Sequence, residues 1–178
     1  MSRIVFNLWT LIALVASLTG CGLVQTVSDA TASTTQAIFY KQIKTLHLDV
    51  SARAATNIET SEMHGMSVST LVRVYQLSDS KQMQRATYDS LLHSGEKVLG
   101  ADLLDEQSVV VKPGEGAQMS VPLNEGAKFV AIVGLFREPD NSTPSWRLIL
   151  TRDDLDPDRP RVIELSDNQL SLRPLVEG

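Results

Sequence analysis

Val68-Ser69-Thr70-Leu71-Val72-Arg73-Val74-Tyr75-Gln76-Leu77 is the stretch whose reading decides the fold. Its side chains alternate along the chain, the period-two pattern of a β-strand. Val68, Thr70, Val72 and Val74 share one face. Leu71, Tyr75 and Leu77 keep the other face from being purely polar, so a second layer is expected to cover part of it.

The same period extends in both directions. Upstream, Leu46, Leu48 and Val50 alternate with Thr45, His47 and Asp49. Downstream, residues 108–112 form a strand closed by Pro113-Gly114-Glu115-Gly116, and Ala117, Met119, Val121 and Leu123 alternate through the next. Asn124-Glu125-Gly126 reads as a tight hairpin turn. Residues 128–137 are apolar enough for a central strand. A turn with two prolines follows at 138–145, then strands at 146–151 and 161–165, and Ser166-Asp167-Asn168 turns into a last strand at 169–172. Short strands separated by turn chemistry predict a mainly β chain, an antiparallel sandwich or barrel.

One stretch departs from that rhythm. Ser78, Asp79 and Ser80 offer helix N-caps. Behind them Met83, Thr87, Tyr88, Leu91 and Leu92 fall on one helical face, which Gly95 is expected to end. Val98, Leu99, Leu103 and Leu104 read as a further helical segment or a packed loop. The expectation is a small helical insertion over about 79–105, lying against one sheet face.

At the N-terminus, Arg3 and the apolar run to Leu18 have the form of a secretory signal, too short to span a bilayer comfortably. Leu18-Thr19-Gly20-Cys21 then reads as a lipobox, and Cys21 is the only cysteine. Its thiolate is the nucleophile on which a diacylglyceryl group is built, with an N-acyl chain added after cleavage. The expected organisation is a leader at 1–20, a lipid anchor and Ser/Thr-rich tether at 21–37, and a β-sandwich domain at 38–178. Several acyl chains together make a stable attachment where one does not. Gly22, in place of the Asp that retains lipoproteins in the inner membrane, points to the periplasmic face of the outer membrane. A tether of 16 residues reaches roughly 20–25 Å as a coil and about 50–55 Å extended.

The charge of −5, which becomes −6 without Arg3, is scattered and offers no basic footprint for nucleic acid. A single cysteine permits no internal disulfide, so the fold must stand on packing. His47, His64 and His93 lie far apart with no metal-ligand spacing. No nucleophile elbow or phosphate loop is present. Asp154, Asp156 and Asp158 open like a calcium loop, but Arg159 stands where Gly is needed and Leu165 where a bidentate Glu is needed. No catalytic or metal site and no cofactor beyond the covalent lipid is therefore expected. The remaining unusual span is 51–66, too long for a hairpin connection. It mixes Ile58, Met63 and Met66 with polar residues, and Met adapts its shape to a partner surface.

The lipobox, Val72-Arg73-Val74-Tyr75-Gln76-Leu77, Gly100-Ala101-Asp102-Leu103-Leu104, the Pro113-Gly114 turn, the strand from Val130 to Arg137 and the Trp146-Arg147 pair together resemble the outer-membrane lipoprotein of the type VI secretion system, the TssJ or SciN family. The resemblance implies a transthyretin-like antiparallel β-sandwich with a small helical element. It implies a non-enzymatic role, tying the periplasmic domain of a large inner-membrane component (TssM-like) to the outer membrane. It also implies contact through the loop between the first two strands, here Asn57, Ile58, Glu59, Thr60, Ser61, Glu62, Met63, His64, Gly65 and Met66. A periplasmic lipoprotein that binds a small ligand is the alternative reading.

Overall fold

The computed structural model describes residues 43–54 and 67–175. Eight strands form two sheets: β1 (Thr45–Ala52), β2 (Thr70–Leu77), β3 (Leu103–Val111), β4 (Gly116–Pro122), β5 (Phe129–Leu135), β6 (Arg147–Thr151), β7 (Arg161–Ser166) and β8 (Gln169–Leu172). The orders are β4-β1-β7-β8 and β3-β2-β5-β6. Pairing is antiparallel except between β1 and β7, which run parallel from Leu48↔Arg161 to Ala52↔Leu165. The core lies between the sheets. Leu46, Leu48, Val50, Ile163 and Leu165 on one side and Val72, Val74, Val130 and Ile132 on the other are all essentially inaccessible to water. The apolar strand β5 is interior to its sheet, between β2 and β6.

Two helices, α1 (Lys81–Arg85) and α2 (Tyr88–Leu99), cover the outer face of the β2–β5 sheet. This accounts for the mixed outer face of β2: Arg73 Nη1 donates to the Leu91 carbonyl at 2.9 Å, and Tyr75 is fully buried beneath Gly95. Ser80 is the N-cap of α1 but its side chain makes no capping bond; the Asp79 carboxylate accepts the Lys81 N–H at 3.0 Å instead. The expected single helical face is broken at Ala86, which is extended. Thr87 then starts α2 with a reciprocal capping arrangement with Ser90. Ser94, at φ −148° and ψ 36°, is non-helical and divides α2 into two segments next to Gly95, close to the expected end. The second segment stops at Gly100, whose φ of +53° suits glycine.

Two further expectations are corrected. The insertion ends at Asp102, because Leu103 pairs with Leu77 across a bulge and begins β3. A lone apolar pair such as Leu103-Leu104 carries no period to separate helix from strand. Asn124-Glu125-Gly126 is a tight turn, with the Asn124 side chain accepting the Gly126 N–H at 2.9 Å, but not a hairpin. It carries the chain between sheets, since β4 pairs with β1 and β5 with β2. By contrast Asp167 and Asn168, at φ +46° and +62°, do make the β7–β8 hairpin.

Candidate partner-binding surface

The sandwich has two ends, distinguished by which connections they carry. One carries the entry of the chain at Ile43 and Lys44, the 123–128 crossover and the 152–160 connection. The other carries residues 53–54 and 67–69, where the chain leaves β1 and enters β2, with the 112–115 turn, the 136–146 loop and the β7–β8 hairpin. Cys21, Gly22 and residues 57–66, His64 among them, lie outside the described residues; residues 53–54 and 67–69 to either side are described.

At the entry end, Arg152 on the turn after β6 works as a clamp. Its Nε donates to the Ala127 carbonyl at 2.5 Å, and Nη2 donates to that of Asn124 at 2.8 Å. Nη1 reaches the Ile43 carbonyl at 3.5 Å. Buried Gln76 braces the same corner, donating to the Pro122 carbonyl at 2.9 Å and to Asp105 at 3.1 Å. Its Oε1 accepts the Asn124 N–H at 2.7 Å. The first described residues are thus tied to the crossover between sheets.

At the other end, the departure of the chain from β1 is held by three backbone hydrogen bonds, to the 112–115 turn and to β7. Ala52 N–H donates to the Glu115 carbonyl at 2.9 Å, and Gly114 N–H donates to that of Arg53 at 3.3 Å. Arg53 N–H donates to the Leu165 carbonyl at 2.9 Å. The Arg53 guanidinium sits 3.4 Å from Glu164, which Arg173 also contacts. Those two guanidinium groups, Arg173 first, hold the Glu164 carboxyl below the usual carboxylate range.

The neighbouring 136–146 loop is anchored by aromatics. Burial pushes the Tyr88 hydroxyl up to about 12, so it stays a neutral donor and bonds to the Phe136 carbonyl. The Tyr88 ring meets Trp146 edge to face at 5.3 Å. Arg147 stacks on Trp146 at 4.8 Å and donates to the carbonyls of Met83 at 2.5 Å, Ala86 at 2.8 Å and Gln84 at 2.8 Å. That fork satisfies the orphan carbonyls at the end of α1 and ties the helix to β6.

A groove of about 680 Å³ opens there, lined by Ala86, Thr87, Tyr88, Asp89, Asn141, Pro144, Trp146 and Arg147. The Tyr88 hydroxyl and the Arg147 guanidinium are engaged in bonds within the protein, which leaves few directed groups to orient a small ligand. The aspartates of the calcium-like run serve local turns. Asp154 accepts the Thr151 N–H and hydroxyl, each at 2.7 Å, while Asp156 accepts the N–H groups of Asp158 and Arg159 at 2.9 and 3.0 Å. His47 lies on the outer face of its sheet, 3.0 Å from the Ser120 hydroxyl, and exposed His93 lies 3.3 Å from Asp89. Among the described residues no helix is long and apolar enough to cross a membrane.

The family model described as "Type VI secretion lipoprotein, VasD, EvfM, TssJ" matches residues 44–170, most of the chain. The chain belongs to this type VI secretion lipoprotein family. A chain in a solved structure described as the T6SS protein TssM C-terminal domain from EAEC is 40% identical, with TM-score 0.67, over 75% of this chain and 100% of that one. A chain of a structure described as a type VI membrane complex is 40% identical, with TM-score 0.70, over 74% and 99%. The T6SS lipoprotein TssJ1 from Pseudomonas aeruginosa shares the fold at 21% identity and TM-score 0.58, over 75% and 98%. No curated protein sequence matches the chain. The protein is accordingly a structural, membrane-associated lipoprotein of the type VI secretion system with a TssJ-like β-sandwich, and not an enzyme.

The sequence did not single out Arg147, Arg152 or Gln76 for any role. Their partners lie 61 to 64 residues away for Arg147, 25 to 109 for Arg152 and 29 to 48 for Gln76, beyond any local period.

Proposed function

We propose that this lipoprotein is anchored by lipid on Cys21 to the periplasmic face of the outer membrane. In this reading it binds the periplasmic domain of the TssM-like inner-membrane component of the secretion machine through residues 57–66. The family membership and the 40% identical chains carry the reading, one from a structure named for a TssM domain and one from a type VI membrane complex. The lipobox and Gly22 support the anchor. The placement of the 53–69 connection at the end opposite the chain entry supports the division of labour. Lipid then holds one end and the partner the other, and several copies around an assembly raise the effective concentration of each contact.

Two variants test it. Cys21→Ser is expected to give a folded protein that captures the partner domain yet does not support secretion. Replacement of 57–66 by a Gly/Ser linker is expected to abolish capture while leaving thermal unfolding unchanged. Secretion by the unlipidated variant, or capture by the linker variant, would overturn the corresponding half of the reading.

A further inference from the structure

We infer that the outer edge of β3 receives an extended segment of the partner as an added antiparallel strand. This deepens the proposed partner reading and rests on it for the partner's identity. β3 is an edge strand of nine residues, the longest strand among the described residues. Among the described residues no strand pairs with its far side, so alternate N–H and C=O groups point outward. Edge strands are normally blunted by brevity, proline or inward-turned lysine. β8 has only four residues, β6 has five, and β4 begins at Gly116 and ends at Pro122. Within β3 there is no proline, glycine or lysine, its only irregularity lies opposite Leu77 at the helix end, and Val110 is 59% exposed.

The chemistry of the strand defines what it accepts. Its outward-facing row is Glu106, Ser108 and Val110, and Asp105 and Glu106 are its only charges. Asp105 is engaged by Gln76 and Gln107, whereas Glu106 has Arg73 at 3.7 Å on one side and lies open on the edge side. An antiparallel occupant therefore needs an apolar residue opposite Val110 and, four residues C-terminal to it, a lysine or arginine opposite Glu106. A second copy of this chain fits poorly. Pairing β3 with itself about Gln107 would set Glu106 opposite Ser108 and Asp105 opposite Val109, so neither carboxylate of either copy would gain a cation. A basic, apolar segment of another chain fits well. The valine end of β3 runs into the 112–115 turn, which is bonded to Arg53 where the 53–69 connection leaves, so edge and connection open on the same end.

The test uses the full-length lipoprotein and the purified periplasmic domain of the inner-membrane component. Backbone hydrogen exchange is compared with and without that domain, and binding is measured for Val110→Lys, for the conservative Val110→Thr and for the 57–66 linker variant. Slowed exchange at β3, a loss of about tenfold or more in affinity for Val110→Lys with unchanged unfolding, and near wild-type binding by Val110→Thr are expected. Unchanged exchange in β3, or wild-type binding by Val110→Lys, overturns the inference. Loss of binding by the linker variant alone would leave the loop reading standing and sink the edge. Loss by Val110→Lys alone would do the reverse, and no binding by the wild-type chain would sink both.

Discussion

Arg147→Ala should destabilise the domain by releasing α1 from β6. The guanidinium donates three hydrogen bonds to carbonyls at the end of α1 and stacks on Trp146. Hydrogen bonds to a charged group contribute about 1.5–3 kcal/mol each when buried. The side chain is half-buried, and the released carbonyls can recover water, so the expected net loss is about 2–4 kcal/mol rather than the full sum. For a domain of this size that corresponds to a fall in Tm of roughly 5–15 °C. Arg147→Lys keeps the charge but not the fork, and should recover less than about half of the loss. The assay is urea and thermal unfolding followed by tryptophan emission in the chain lacking residues 1–20, where Trp146 is the only tryptophan. A loss below about 1 kcal/mol for Arg147→Ala, or a Lys variant equal to wild type, would refute the account of how α1 is held.

Three other outcomes follow from the packing. Gln76→Leu keeps volume but strands the Pro122 carbonyl and the Asn124 N–H, and should cost about 2–4 kcal/mol in urea denaturation; a loss within error would mean the crossover is held without it. Gly95→Ala places a methyl 2.9 Å from the hydroxyl of fully buried Tyr75, and overpacking should outweigh the gain in helix propensity by about 1–2 kcal/mol. In a Tyr75→Phe background the same change should become neutral or stabilising, and equal effects in both backgrounds would discard the clash. Hydrogen bonds from Ser142 and Thr143 hold the exposed Asp140 carboxyl well below the usual carboxylate range. Its folded pKa is depressed, so its contribution is present above the unfolded value of about 3.9 and is lost as pH falls through the folded one. Asp140→Asn should therefore lose less Tm than wild type on acidification below about pH 4, and parallel curves would remove Asp140 from the acid response.

How much was legible in the sequence depended on whether the deciding contact was local. Alternation along Val68–Leu77 and the apolar run around Ile132 carried the strands, because burial on one face of a pleat leaves a period that survives without the partner strand. Asp167-Asn168 announced a turn because those residues tolerate positive φ. Helix content in the insertion was legible from the spacing of its apolar residues. The break at Ala86 was not, since its carbonyl is held by Arg147, 61 residues away in the chain.

By itself, then, the order of residues determined the β class, the helical layer, the lipobox and the overlong connection after β1, all features written within about twenty neighbouring positions. Only the tertiary structure decided that Asn124-Glu125-Gly126 joins two sheets rather than two paired strands, that β7 runs parallel to β1, and that β3 is left at an edge. A turn states that the chain reverses and says nothing of which sheet receives it. That choice is made by distant groups, here Gln76 and Arg152, whose hydrogen bonds exist only once the two sheets have closed on their common core.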